Sequence, residues 1–278
     1  MEQYLQMLQY ILDNGERVSN RTGIDTISVF GYQTRYDLQK GFPIVTTKKM
    51  FFKGIVYELL WFLRGDTNVK FLQENGVHIW DEWATKEMTE KFGREEGELG
   101  PIYGELWRKW KGIDDLGNVV VVDQIKRVID EIKNNPNSRR LIVSGWNPAT
   151  CDRVSLPPCH TLFQFKITHG NKLNCHLYQR SADAFLGVPF NISSYALLTH
   201  MIAHVTGLNV GEFIHSFGDL HIYVNHLEQV KLQLSRKPLE LPKLWLNPNI
   251  TSIDDFKYED VKLIDYKSWP AIKGEVAV

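Results

Sequence analysis

Cysteine is scarce in this sequence: Cys151, Cys159 and Cys175 are the only three in 278 residues. An odd, small number in a chain of this length is no disulfide framework, and so long a chain buries enough surface to fold without one. Net charge is scarce too. The 32 Lys and Arg residues against 33 Asp and Glu leave a formal charge of -1. A nearly neutral chain offers no general field to nucleic acid or a membrane surface, so neither is expected as the main partner. An anionic ligand would then need a local cluster of arginines. No apolar run approaches the length of a membrane span. The segment MEQYLQMLQYILDNGERV lacks the basic start, apolar run and small-residue cleavage site of a signal peptide. It reads as an amphipathic helix, and the cytoplasm is the expected location. No C-x-x-C pair occurs, and Cys159-His160 and Cys175-His176 do not make a standard ligand set, so no metal is expected.

What is present is a mixture of helical and extended patterns. Tyr4, Leu5, Leu8, Ile11 and Leu12 recur at helical spacing until Gly15. Residues 54–63 (GIVYELLWFL) are apolar nearly all round, as in a buried helix. Asp123 caps a helix over 123–133 whose Ile125, Val128, Ile129 and Ile132 share a face. Further helices are expected over 191–205 and 225–234. Strand patterns occupy 26–30, 33–38, the FPIVTTKK segment, 141–146, and the pair 161–168 and 172–179 around His169-Gly170-Asn171. Residues 213–216 and 220–224 read as two strands split by Gly218-Asp219. The stretch 82–117 is charged, rich in Gly and Trp and weakly periodic. It is expected to form a small inserted subdomain on one domain spanning 1–278. Without a strict βαβ rhythm, the mixture favours an α+β fold with a large mixed sheet and packed helices.

Several residues carry chemistry, each with a plainer alternative. Cys159, in SLPPCHTLFQF, follows two prolines and opens a strand, a rigid position for a nucleophile. Its thiol needs nearby arginines to ionise near neutral pH. A buried structural cysteine is the alternative. Arg21-Thr22, Ser138-Arg139-Arg140 and Gln179-Arg180-Ser181 each put a guanidinium beside a hydroxyl, a pairing that suits phosphate oxygens or simply a solvated face. Glu58 is the one carboxylate on an apolar helix; it is either paired with an arginine or kept for proton transfer. Trp80, Trp83, Trp107 and Trp110 supply flat surfaces for a heteroaromatic ring, or core. Asn191 is either a helix cap or an amide that reads a nucleobase edge. His221 and Tyr223 alternate on one face of a strand, toward a sugar or as a core pair.

These segments, in this order, resemble the thymidylate synthase family. The likeness runs from Asn20-Arg21-Thr22-Gly23 to the C-terminus through ELLWFLRGDTN, IWDEW, GELGPIYGELWRKW, NSRRLIVSGWN, LPPCHTLFQF, LYQRSADAFLGVPFNISSYALL, GDLHIYVNHLEQ and IKGEVAV. The resemblance implies reductive methylation of dUMP to dTMP, with 5,10-methylenetetrahydrofolate giving the carbon and the hydride. It implies that Cys159 adds to C6 of the pyrimidine and that Arg21, Arg180 and Ser181 hold the phosphate. Arg139 and Arg140 are implied to reach that phosphate from the second subunit of a homodimer whose interface is a face of the sheet. Asn191 is implied to read the uracil edge, His221 and Tyr223 the ribose hydroxyl, and Asp183 the pterin. Glu58, Tyr103 and His160 fall in the proton-handling network. Ile79, Trp80, Leu186, Gly187 and Phe190 fall on the folate wall, and Val278 closes over the ligands.

The sequence departs from the family pattern in the GIDT loop after Arg21-Thr22 and in the length and charge of the insert near 86–98. Two rival readings stand beside this one. A deoxycytidylate hydroxymethylase shares the nucleophile, but an aspartate would suit its base where this chain has Asn191. A regulator built on an inactive scaffold would not need Cys159, Glu58, Tyr103 and Asn191 together.

Overall fold

The computed structural model describes residues 1–276. In chain order the elements are α1 (Glu2–Asn14), β1 (Glu16–Val18), β2 (Thr26–Asp37), α2 (Phe52–Leu63), α3 (Lys70–Glu74), α4 (Lys86–Glu90) and α5 (Tyr103–Arg108). They continue with β3 (Trp110–Ile113), β4 (Val119–Val122), α6 (Gln124–Asn134), β5 (Ile142–Ser144), β6 (His160–Thr168) and β7 (Lys172–Asp183). The last are α7 (Gly187–Thr206), β8 (Asn209–Tyr223), α8 (Leu227–Leu234), β9 (Lys243–Leu246) and β10 (Val261–Ile264).

Six strands form one sheet in the order β1-β2-β8-β7-β6-β5. β7 and β8 run parallel and the other neighbours antiparallel, so the sheet is mixed and the fold is α+β. A parallel pair needs a long crossover, and here it is α7. That helix lies under the sheet with Ile192, Ala196, Leu197, Met201 and Ile202 wholly buried, because it is apolar on nearly every side. α1 and α2 add Tyr4, Leu8, Ile11, Ile55, Trp61 and Phe62 to the same core. The Asp123 carboxylate accepts the Lys126 amide at 2.9 Å and starts α6, as the sequence predicts.

Four expectations are corrected. The segment FPIVTTKK is no strand. Its backbone and hydroxyls are taken by remote groups: Thr46 accepts from Leu239 and Trp269, and Thr47 from Gln233 and Arg236. The strands expected over 26–30 and 33–38 are one strand, β2, which continues through Gly31 at φ +79. Those expected over 213–216 and 220–224 are likewise one strand, β8. Gly218 is there for close approach, since a Cβ on it would sit 2.7 Å from the Arg180 carbonyl oxygen of β7. α7 begins at Gly187, not at Asn191. The Asp183 carboxylate accepts the amides of Phe185 at 2.9 Å and Leu186 at 3.1 Å, and this closes the turn into the helix early. Asn191 is therefore not a cap, and its amide is free for other work.

Residues 82–117 send Tyr103, Leu106 and Trp107 into the shared core, while the β3–β4 hairpin carries exposed Ile113, Val119 and Val121.

Candidate active site

The sheet's β7–β8 pair, the loop before β6 and the start of α7 converge on Cys159. The prolines Pro157 and Pro158 leave their carbonyl oxygens as acceptors, and both are taken by Arg180, at 2.9 Å each. The same guanidinium stands 3.9 Å from the Cys159 sulfur and 5.2 Å from the Trp146 ring centroid. Arg180 thus holds the loop and the thiol together from β7. Burial pushes the Cys159 thiol above its usual range, while the charges of Arg180 and then Arg21 pull it back. Arg21 lies in the loop before β2, and its charge reaches the sulfur without a hydrogen bond to it among the described residues. Arg180→Leu is expected to raise the thiol pKa and slow its alkylation by iodoacetamide at pH 7, by roughly tenfold per pH unit of change. A pH series of alkylation rates measures this.

The backbone amides of Cys159 and His160 both donate to the Tyr103 hydroxyl, at 2.7 and 3.4 Å. Accepting two amides leaves the hydroxyl proton free to point elsewhere. Tyr103 is buried, which raises its pKa, and the nearby Cys159 raises it further, so the phenol stays protonated. His160 packs on Tyr103 with centroids 4.8 Å apart. Burial lowers its pKa to about 3, a contact with Asn191 opposing, so the ring is neutral. Glu58 is buried on α2 and accepts the Trp80 indole N–H at 2.8 Å. Burial raises its carboxyl to about 7, opposed by that bond. No arginine pairs with it among the described residues, so the paired alternative falls away. The Trp80 ring in turn lies 6.2 Å from Tyr103, which links Glu58 to the thiol through packed neighbours.

Asn191, one turn into α7, faces β7: its Oδ1 accepts from Gln179 Nε2 at 3.2 Å. Gln179, Ser181 and Asp183 alternate along β7 on one face. Gly187 lies between them and the helix, with Asn191 Oδ1 3.7 Å and Asp183 Cβ 3.9 Å from a Cβ placed on it. His221 and Tyr223 end β8 with rings 5.2 Å apart, edge to face. His221 Nδ1 meets Asp219 Oδ1 at 2.7 Å, and Asp219 also accepts from Ser28 at 3.1 Å, so its carboxyl is held below the usual range. Burial raises the Tyr223 phenol above its usual range, and the charge of Asp183 raises it further, with Arg21 opposing. Ile79, Leu186 and Phe190 are half-buried, and Trp80 is buried beside Trp83 at 5.8 Å.

Arg139 and Arg140 are the exception. Both are exposed just before β5, neither is in an ion pair among the described residues, and neither acts on Cys159. Val278 lies outside the described residues.

Gln179, Asp219 and Trp146 were not among the residues expected from sequence. Gln179 could have been found from its place two before Ser181 on the same strand face. Asp219 and Trp146 gave no separate signal, because each acts only through a partner. Among the described residues no group of three or more His, Cys, Asp or Glu could hold a metal ion. His200 and His204, four apart on α7, do not share a ligand: His204 bonds the Ile250 carbonyl at 2.9 Å and His200 packs on Phe42. All three cysteines are free.

A thiol beside the Arg180 guanidinium, an amide able to read a base edge, and a buried carboxyl raised toward neutrality suit covalent catalysis on a phosphorylated heterocycle. Compared with known families, residues 2–278 match the model of thymidylate synthase.

Proposed function

The chain belongs to the thymidylate synthase family, and from that premise we propose how its residues divide the work. Members are methyltransferases that convert dUMP to dTMP with methylenetetrahydrofolate as co-substrate. The single observation that carries our assignment is the convergence of the Arg180 guanidinium and the Tyr103 hydroxyl on Cys159.

C5 of a uracil is a poor nucleophile. The Cys159 thiolate adds at C6, and the electron pair moves through C5 to O4 as an enolate, splitting one hard step into easier ones. Asn191 donates to the developing charge at O4 and accepts from N3–H. Arg21, Arg180 and Ser181 hold the phosphate, so the anion that binds is also the one that brings the arginines into register. His221 and Tyr223 bind the ribose hydroxyl, with Asp219 fixing the His221 ring.

The folate supplies the one-carbon unit and, finally, a hydride. The donor set fits it. Asp183 uses only Oδ1 on the Phe185 and Leu186 amides, leaving Oδ2 to accept pterin N–H groups among the described residues. Ile79, Trp80, Leu186, Gly187 and Phe190 are assigned to the apolar side of the folate site, Trp80 buried and Ile79, Leu186 and Phe190 half-buried. After C5 takes up the carbon it must lose its proton. Tyr103, whose own proton is free, positions a water to receive it, with neutral His160 packed behind. Glu58, poised near pH 7, exchanges protons with O4 through the same cleft. Release of the thiolate restores Cys159.

The homodimer is part of this proposal. The outer sheet face carries a lateral row of Leu162, Tyr178, Ser216 and Gln33, with Phe30 86% exposed nearby. An exposed mixed row of this kind suits an isologous interface. A second copy there would bring Arg139 and Arg140, which have no acidic partner among the described residues, to the phosphate. Cys159→Ala and Arg139→Ala chains, each inactive alone, are then expected to regain activity when unfolded together and refolded. Mixtures that stay inactive would argue against a shared site. A cytoplasmic location also belongs to this reading and is supported by three unpaired cysteines. So does the division of the chain into one domain with a small insertion at 82–117.

The assay is direct: incubation with dUMP and methylenetetrahydrofolate, with dihydrofolate followed by absorbance. Product with dUMP supports the assignment. Product only with dCMP would move it to a hydroxymethylase, and silence with both, in a folded protein, to the inactive-scaffold reading.

A further inference from the structure

Behind Asn191 lies a buried polar row that bears on which pyrimidine the cleft accepts; its meaning rests on Asn191 being the group that meets the base. Gln179 is 3% exposed, and its Nε2 donates twice, to the Ser181 carbonyl at 3.0 Å and to Asn191 Oδ1 at 3.2 Å. A backbone carbonyl only accepts, so Ser181 fixes which end of the Gln179 amide is nitrogen. Oε1 then faces His215 Nε2 at 2.9 Å, and His215 must present N–H there. His215 is fully buried, and burial keeps its ring neutral, so only one of its nitrogens carries a proton. Its Nδ1 has no partner among the described residues, as fits the bare nitrogen of that tautomer. The ring is clamped between Phe213, at 5.4 Å, and Phe217, at 3.9 Å. Every bond in the row therefore has a set direction: His215 donates to Gln179, and Gln179 donates to Asn191.

We propose that His215 is a specificity-determining positioning residue, which through Gln179 holds the Asn191 amide oxygen inward and so admits uracil and rejects cytosine. Uracil offers a donor at N3 and an acceptor at C4, and cytosine offers the reverse. To meet cytosine the Asn191 amide must turn over. Its NH2 would then face the NH2 of Gln179, two buried donors with no acceptor between them. Such an unmatched buried pair is costly, and sites built on fixed hydrogen bonds discriminate strongly for that reason. The Gln179 amide cannot turn to relieve the clash, because both His215 and Ser181 oppose it.

The test is calorimetric titration of dUMP and dCMP into the wild-type protein, His215→Phe and His215→Gln. Phenylalanine keeps a ring between Phe213 and Phe217 and removes the N–H; glutamine returns an N–H near the position of Nε2. The preference for dUMP over dCMP, as a ratio of Kd values, is expected to fall about tenfold or more in His215→Phe and to recover in His215→Gln. Simple loss of packing would weaken both nucleotides alike and leave the ratio unmoved. Gln179→Met deletes the donor to Asn191 from the other side and is expected to give the same loss, which covers a phenylalanine variant that does not fold. An unchanged ratio in the folded variants overturns the proposal, while wild-type turnover of dUMP leaves the assigned function standing. A wild-type protein that binds no dUMP overturns both.

Discussion

Cys159→Ala is expected to lower the rate of dTMP formation by about 10⁴-fold or more while leaving dUMP bound, because only the covalent step is removed. The phosphate contacts proposed for Arg21, Arg180 and Ser181 do not involve the sulfur. Arg180 also keeps its bonds to the Pro157 and Pro158 carbonyls at 2.9 Å, so the loop retains its place in the variant. The effect should therefore fall on kcat, with the dissociation constant for dUMP changed severalfold at most. A stopped assay of dTMP and a titration of dUMP separate the two. A variant that retains substantial turnover would mean that the thiol is not the nucleophile.

Glu58→Gln is expected to move activity and stability in opposite directions. In the unfolded chain this carboxyl ionises near 4.5, and in the fold burial raises it to about 7. Between those values the native protein keeps a proton that the unfolded chain has released. Stability is therefore lost as pH rises through that window, and the loss is complete above about pH 7. At about 1.4 kcal/mol per pH unit, it reaches roughly 3 kcal/mol. Glutamine occupies the same volume, still accepts the Trp80 indole N–H, and never ionises. The variant should match the wild type near pH 4.5 and be more stable by roughly 2–3 kcal/mol at pH 8. Loss of a proton-transfer group should slow turnover about 10²–10⁴-fold. Urea unfolding at both pH values, beside the turnover assay, measures each half. Equal stability at pH 8 would show that the carboxylate is already well paired.

What could be read from the sequence follows the range of the forces involved. Periodic apolar faces and caps are local, so α1, α2 and α6 with its Asp123 cap were legible. Glycine misled twice, because strands were expected to end on either side of Gly31 and at Gly218. Gly31 keeps a φ of +79 inside β2 with open space around it, and Gly218 lets β7 come close; only the strand pairing tells either from a turn. FPIVTTKK misled because its hydrogen-bond partners, from Gln233 to Trp269, lie far along the chain. The candidate site residues were picked out as motifs, and the structure brings Cys159, Arg180, Tyr103, His160 and Asn191 together. It does not bring Arg139 and Arg140, which the proposal places at the site only through a second chain. Gln179 and His215 escaped notice because their part is the direction of a hydrogen bond, and residue type alone does not carry direction.

The proposed mechanism turns on a covalent bond between Cys159 and C6 of the pyrimidine. A 5-fluorinated dUMP has no proton at C5 to give up, so the adduct formed with methylenetetrahydrofolate should persist. Mass spectrometry of the digested protein is expected to find nucleotide and folate together on the peptide that contains Cys159. A protein left unmodified, or modified at Cys151 or Cys175 instead, would contradict the account.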